Sequence, residues 1–97
     1  MARLWSVFTS DMDTCYFSGS TAVERHHIFG GPFRKKSEIY GFVIPLRPDL
    51  HPNGVHYDPR NLYGVTDLKL KQMAQTYYED KCGTRSEFRR LFGKSWL

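Results

Sequence analysis

Four histidines carry most of the chemistry this sequence offers, and all lie between positions 26 and 56: His26, His27, His51 and His56. A neutral imidazole is a good ligand for first-row divalent ions, and it accepts protons near neutral pH without special tuning. The adjacent pair is the informative feature. Successive residues on a strand project to opposite faces, so His26 and His27 cannot both pack into one core. If one reaches a metal, the other is left to act on a substrate or a water near the same strand end. His51 and His56 fall in a later loop that can fold back over that strand. A site of two or three imidazoles suits zinc, nickel, manganese or a similar ion. The plainer alternatives are that His51, beside Pro52, is a solvated turn residue and that His56 caps Asp58.

These side chains need elements to hold them. Residues 22–29 alternate Val23, Arg25 and His27 against Glu24, His26 and Ile28, a strand pattern that Gly30-Gly31-Pro32 ends. A polar, basic loop is expected from there through Ser37. Residues 40–46 read as a second strand with Phe42, Val43 and Ile44 at its centre, and Pro45 puts its end at an edge or bend. Residues 47–65 hold Pro48, Pro52, Gly54, Pro59 and Gly64 and read as one long loop, an unusual feature in a small domain and often a functional one. Thr66 or Asp67 then caps a helix whose apolar stripe is Leu70, Met73, Ala74 and Tyr77, with Lys69, Lys71, Gln72 and Gln75 on the other side. Gly83 suits its C-terminal cap. Thr84 and Glu87 form a capping box for a second helix with Phe88, Leu91 and Phe92 as its stripe, closed by Gly93. Before the first strand, residues 3–9 read as a short strand or irregular apolar arm, and residues 15–20 as a tight knuckle turning on Gly19. Trp96-Leu97 is an apolar tail expected to pack back.

The order strand, strand, loop, helix, helix makes an α+β chain. Its 97 residues form one domain, divided into an arm and knuckle (1–21), a core (22–80), and a final helix and tail (84–97). An aromatic content of 15% and a hydrophobic content of 40% argue for a folded chain. The formal net charge of +4 suits a polyanionic partner without requiring one. Cys15 and Cys82 are far apart, and both read as buried small apolar residues rather than as a cross-link of a secreted scaffold. The N-terminus lacks an apolar signal core, and no apolar run approaches the ~18 residues of a membrane span, so a cytoplasmic protein without membrane association is expected.

The run Val23-Glu24-Arg25-His26-His27-Ile28-Phe29-Gly30-Gly31 resembles the first strand of HNH (ββα-metal) endonucleases. The similarity extends through 37–43, His51 and His56, Leu68-Lys69-Leu70-Lys71-Gln72 with Ala74-Gln75, and the ending 92–97, about four-fifths of the chain. The layout is similar to that of short HNH-like proteins of phages and prophages. The resemblance implies a ββα-metal domain with a β-hairpin, a long loop and two C-terminal helices. It implies a phosphodiester hydrolase acting on DNA with one divalent ion (magnesium, manganese, nickel or zinc). His26 matches the metal-ligand position and His27 the general base. His51 matches a second ligand, and His56 is a further candidate. Glu24 is a candidate to orient a histidine from behind, or else an exposed strand residue. Arg25, Arg34, Lys35 and Lys36 flank the site and are candidate phosphate contacts, or else a solvated loop. Arg85, Arg89 and Arg90 read as a solvated helix face.

The chain departs from the family pattern at three places. The structural zinc held by two Cys-x-x-Cys pairs is not expected: Ser18 stands where Cys15 would have a partner, and Arg47-Pro48-Asp49-Leu50 replaces the second pair. The middle asparagine or histidine has no clear match, since Asn53 and Asn61 come late. His51 is single where relatives have a doublet. A second reading therefore accompanies the first, an HNH-like phage protein without catalysis that binds a protein partner and inhibits a bacterial defence system, as anti-CRISPR proteins do. A homodimer is compatible with either.

Overall fold

The computed structural model describes residues 3–97; Met1 and Ala2, the start of the expected arm, lie outside the described residues. Among the described residues, two strands and three helices make a small α+β domain. β1 (Glu24–His27) pairs antiparallel with β2 (Val43–Leu46), setting Glu24 opposite Leu46 and His27 opposite Val43. β2 is buried along its whole length, which explains its run of apolar residues. Pro45 has no N–H to give, and its carbonyl instead accepts from Tyr16 N at 3.0 Å.

Both strands are shorter than the alternation predicts, because the chain between them is not the loop expected through Ser37. A short 3-10 turn at Gly31–Phe33 leads into α1 (Arg34–Tyr40). Pro32 supplies the fixed φ that suits a first turn. Gly41 ends α1 in the left-handed region (φ 72°), and a Cβ there would come within 2.8 Å of the Trp5 ring, so the position needs glycine twice over. Seven residues are too few for a helix to stand alone in water. Tertiary bonds hold it. Buried Ser37 Oγ accepts from Phe29 N at 3.0 Å and donates to Phe29 O at 2.7 Å. Lys36 Nζ donates to Leu91 O at 2.8 Å, and the Trp5 indole N–H donates to Glu38 O at 2.8 Å.

Residues 47–65 are largely irregular, as expected, with one 3-10 turn at Pro48–Leu50. Asn61 organises the end of the loop: its amide donates to Asp58 O and Val65 O, and its Oδ1 accepts from Val65 N. α2 (Asp67–Lys81) starts at Thr66, whose hydroxyl accepts from Lys69 N at 3.0 Å. Its buried residues are Leu70, Ala74, Gln75 and Tyr78. The stripe is thus rotated from the expected one, and Gln75 moves from the solvent side to the core. The C-terminal tail covers it: Gln75 Oε1 accepts from Trp96 N at 2.7 Å and its Nε2 donates to Ser95 Oγ at 2.9 Å. Trp96 packs back as expected, whereas Leu97 stays half exposed.

Cys82, not Gly83, caps α2, and it is exposed rather than buried; Cys15 is buried, and both thiols are free. Thr84 and Glu87 make the expected capping box at the start of α3 (Arg85–Phe92). Arg85, Arg89 and Arg90 are exposed. The knuckle closes with Gly19 N donating to Cys15 O at 3.0 Å and Cys15 N to Ser20 O at 2.7 Å. The arm forms no strand, and Val7 N donates to Gly41 O at 2.9 Å. Between hairpin and helices lies a core built on aromatic rings. Phe92 stands 4.5 Å from Phe29 and 4.9 Å from Phe88, centroid to centroid, with Phe42, Tyr40 and Tyr78 around them. Large rings bury much area per residue, which suits a chain this short. Among the described residues, no helix is long and apolar enough to cross a membrane.

Candidate functional site

β1 splits the histidine doublet, as strand geometry demands. Glu24 and His26 share one face, and His27 takes the other with Arg25. The long loop delivers His51 to the first face. Fully buried Leu50 anchors the 3-10 turn just before it, and Asp58 N bonds Asp49 O at 2.9 Å to close the loop behind. Gly54 N then donates to His51 O at 2.9 Å. A Cβ on Gly54 would itself lie 2.9 Å from that oxygen, so only glycine fits the turn.

The result brings the His26 and His51 rings together, 4.8 Å apart between centroids and inclined at 66°. Glu24 Oε1 lies 2.6 Å from His51 Nδ1. A carboxylate only accepts, so Nδ1 carries the proton and the His51 Nε2 lone pair faces away from Glu24. His26 is 5% exposed, and its Nε2 is buried without a hydrogen-bond partner among the described residues. An orphaned buried nitrogen costs free energy unless something meets it, and such exceptions call for an explanation. Burial, and then the neighbouring His51, push the His26 pKa down to about 4. The ring is therefore neutral at pH 7, and with its proton on Nδ1 it would present the Nε2 lone pair to a Lewis acid. Asp67 and Lys71 on α2 also lie within electrostatic reach of His26, with opposing effects. Lys71 Nζ donates to both Asp67 oxygens, at 2.6 and 2.5 Å, and sits over the Trp96 ring at 5.2 Å.

On the opposite face, His27 Nε2 lies 3.0 Å from Glu38 Oε2 on α1. By the same donor logic Nε2 carries the proton, and the Nδ1 lone pair is the basic one. The His27 side chain is 9% exposed, which admits a water more easily than a bulky group. Arg34 Nε stands 3.9 Å from the same Glu38 oxygen. Neither Glu38 nor the Lys71–Asp67 pair was expected at the site. Glu38 reaches His27 only through α1, a helix that no local sequence signal announces. Its only signal was a carboxylate eleven residues after His27.

The remaining candidates are dispersed. His56 is exposed and makes no hydrogen bond among the described residues, where Asp58 pairs with Arg60 instead. Among the described residues no group of three or more His, Cys, Asp or Glu side chains that could hold a metal ion occurs. The three-imidazole cluster is thus not preassembled. A metal would meet two rings, His26 and His51, with Glu24 behind them. Arg25 is engaged by Asp13 at 2.6 Å. Lys36 serves structure, bonding Leu91 O, while Arg34 and Lys35 are exposed. The larger surface cavity, about 620 Å³ along the arm between Arg3 and Arg25, touches none of the histidines. A smaller cleft of about 400 Å³ is lined by Trp5, Lys35, Glu38 and Ile39 and shares Glu38 with His27. Comparisons with family models, with curated proteins and with solved structures return no match.

Proposed function

We propose that the chain is a metal-dependent phosphodiester hydrolase of the HNH type, with DNA as substrate, a ββα-metal arrangement of its hairpin and helices, and a phage genome as its source. The observation that carries this reading is the unpartnered, neutral His26 nitrogen beside His51, one residue from a second imidazole paired with a carboxylate. His26 Nε2 and His51 Nε2 are the nitrogens that would hold a divalent ion such as magnesium, manganese, nickel or zinc. When bound, that ion supplies charge neutralisation to a phosphate. Glu24 fixes the His51 tautomer and ring plane by accepting from Nδ1. Across the strand, Glu38 does the same for His27 and leaves Nδ1 to take a proton from water. Arg34, beside Glu38, and Lys35, on the same short helix, bring positive charge to a phosphate backbone. The host cytoplasm is the setting this reading implies.

The test is cleavage of supercoiled plasmid by pure protein with each ion in turn, and then by His27→Ala. Absence of cutting of any DNA or RNA with all four ions would end the catalytic reading. One observation favours the second reading, a non-catalytic protein that binds and inhibits a component of a bacterial defence system. Val55, Leu62 and Tyr63 in the long loop, with Leu68 beyond it, are exposed apolar residues, and Leu62 is fully so. That reading predicts partner binding that His27→Ala leaves unchanged and Leu62→Asp weakens.

A further inference from the structure

The cleft shared by Trp5 and Glu38 has an aromatic wall to which the proposed hydrolysis assigns no role. The Trp5 indole is held in place from two sides. Its N–H is anchored to Glu38 O at 2.8 Å, and its six-membered ring lies where a side chain on Gly41 would collide, at 2.8 Å. Its exposure is still 46%. Nearly half of the residue's surface therefore stays accessible while its indole is held in place, with little conformational freedom left to lose on binding. Ile39, 68% exposed, adds a second apolar wall. Lys35 supplies a cation that has no side-chain partner among the described residues. The fourth wall is Glu38, whose carboxylate already touches His27.

We propose that this cleft is a subsite for one unpaired nucleobase, stacked on Trp5, with the adjoining phosphate against Lys35. The inference rests on the reading of the chain as a nucleic-acid enzyme and sharpens it toward single-stranded or locally opened substrate. The cleft, about 400 Å³ and open to solvent, has room for one nucleobase against its aromatic wall. A rigid aromatic face beside a cation is how proteins hold single strands without reading their sequence, because every base has a π-face. The Glu38 carboxylate offers an acceptor to a base imino or amino group.

The experiment uses Trp96→Phe, which leaves Trp5 as the single tryptophan, titrated with an eight-residue thymidine oligonucleotide in buffer containing a metal chelator. Stacking should quench Trp5 emission, and a fully paired duplex of equal length should quench it far less. Trp5→Ala should weaken oligonucleotide binding between about five-fold and about a hundred-fold, the range for loss of one base–aromatic stack. Because Trp5 also packs on Gly41, the exposed variants Lys35→Glu and Ile39→Asp provide the same test without touching the core, and both should weaken binding. Binding with unchanged Trp5 emission and no effect of either exposed variant overturns the subsite, as does absence of single-strand binding. Both results are read without metal or turnover, so failure of the subsite is distinguishable from failure of the hydrolase, which the His27→Ala plasmid assay with added metal judges.

Discussion

Below β1, His26 lies against His51 and loses its charge to burial; above β1, His27 meets a carboxylate brought by α1. The two side chains are identical and adjacent, and the strand pleat alone gives them different surroundings. On the lower face His26 meets a second imidazole, itself held in one tautomer by Glu24, so the region presents lone pairs to a cation. On the upper face the partner is an acceptor, so the ring there is held in one tautomer and presents a single basic nitrogen. A doublet on one strand can thus divide ligation from proton transfer without any change of side chain. The difference comes from what each face is packed against, a loop histidine on one side and a helix glutamate on the other.

The sharpest way to break this division is to remove the upper ring. His27→Ala should lower plasmid cleavage by about a hundred-fold to ten-thousand-fold, the usual weight of a positioned general base. It should leave intact the rise in melting temperature that a bound ion gives; loss of that rise as well would mean the two faces are not separate. Next comes acid. The folded pKa of His26 is depressed to about 4 from an ordinary 6.5, so the unfolded chain binds more protons between those values. Its contribution to stability is complete above pH 6.5 and is lost as pH falls toward 4, up to about 3 kcal/mol. Urea unfolding at pH 7.5 and pH 4.5 measures it, and His26→Leu should remove that part of the acid sensitivity. An unchanged pH dependence in the variant would show that His26 is not buried neutral.

Smaller effects should follow from the carboxylates. Glu24→Ala should weaken ion binding by about ten- to a hundred-fold, read by calorimetry, because His51 loses the acceptor that sets its tautomer. Glu38→Ala should leave ion affinity unchanged and lower the cleavage rate, and an equal loss of affinity would erase the contrast between the faces. The mildest change expected is Thr84→Ala, remote from both faces. It removes the capping box of α3 and should cost about 1 kcal/mol by thermal unfolding, with no effect on ion binding.

The parts of the fold that sequence reasoning recovers are those whose signals are local. α3 announces itself through Thr84, Glu87 and Gly93, and α2 through Thr66 and its periodic Leu70 and Ala74. α1 has no such signal. Its residues are polar, it is short, and what stabilises it lies far along the chain, at Leu91, Phe29 and Trp5. Gln75 fails for the same reason, since its burial depends on the tail that bonds its amide. At the site, the doublet and His51 were legible from type and spacing, and the pairing of Glu24 with His51 follows from their delivery to one face. Glu38 was not legible, because its approach to His27 exists only once α1 is folded. Cys82 shows that a small apolar residue at a helix end is no guide to burial.

The Ser37 hydroxyl has one more effect. It gives and takes a hydrogen bond at Phe29, the residue after the last one bonded across to Phe42, and so satisfies both main-chain groups of that residue just past the end of β1. A two-stranded ribbon ordinarily leaves its outer edges open to lateral addition of another chain. Ser37 stands in for a neighbouring strand at that one residue, which removes one docking point for an added strand at the end of the hairpin.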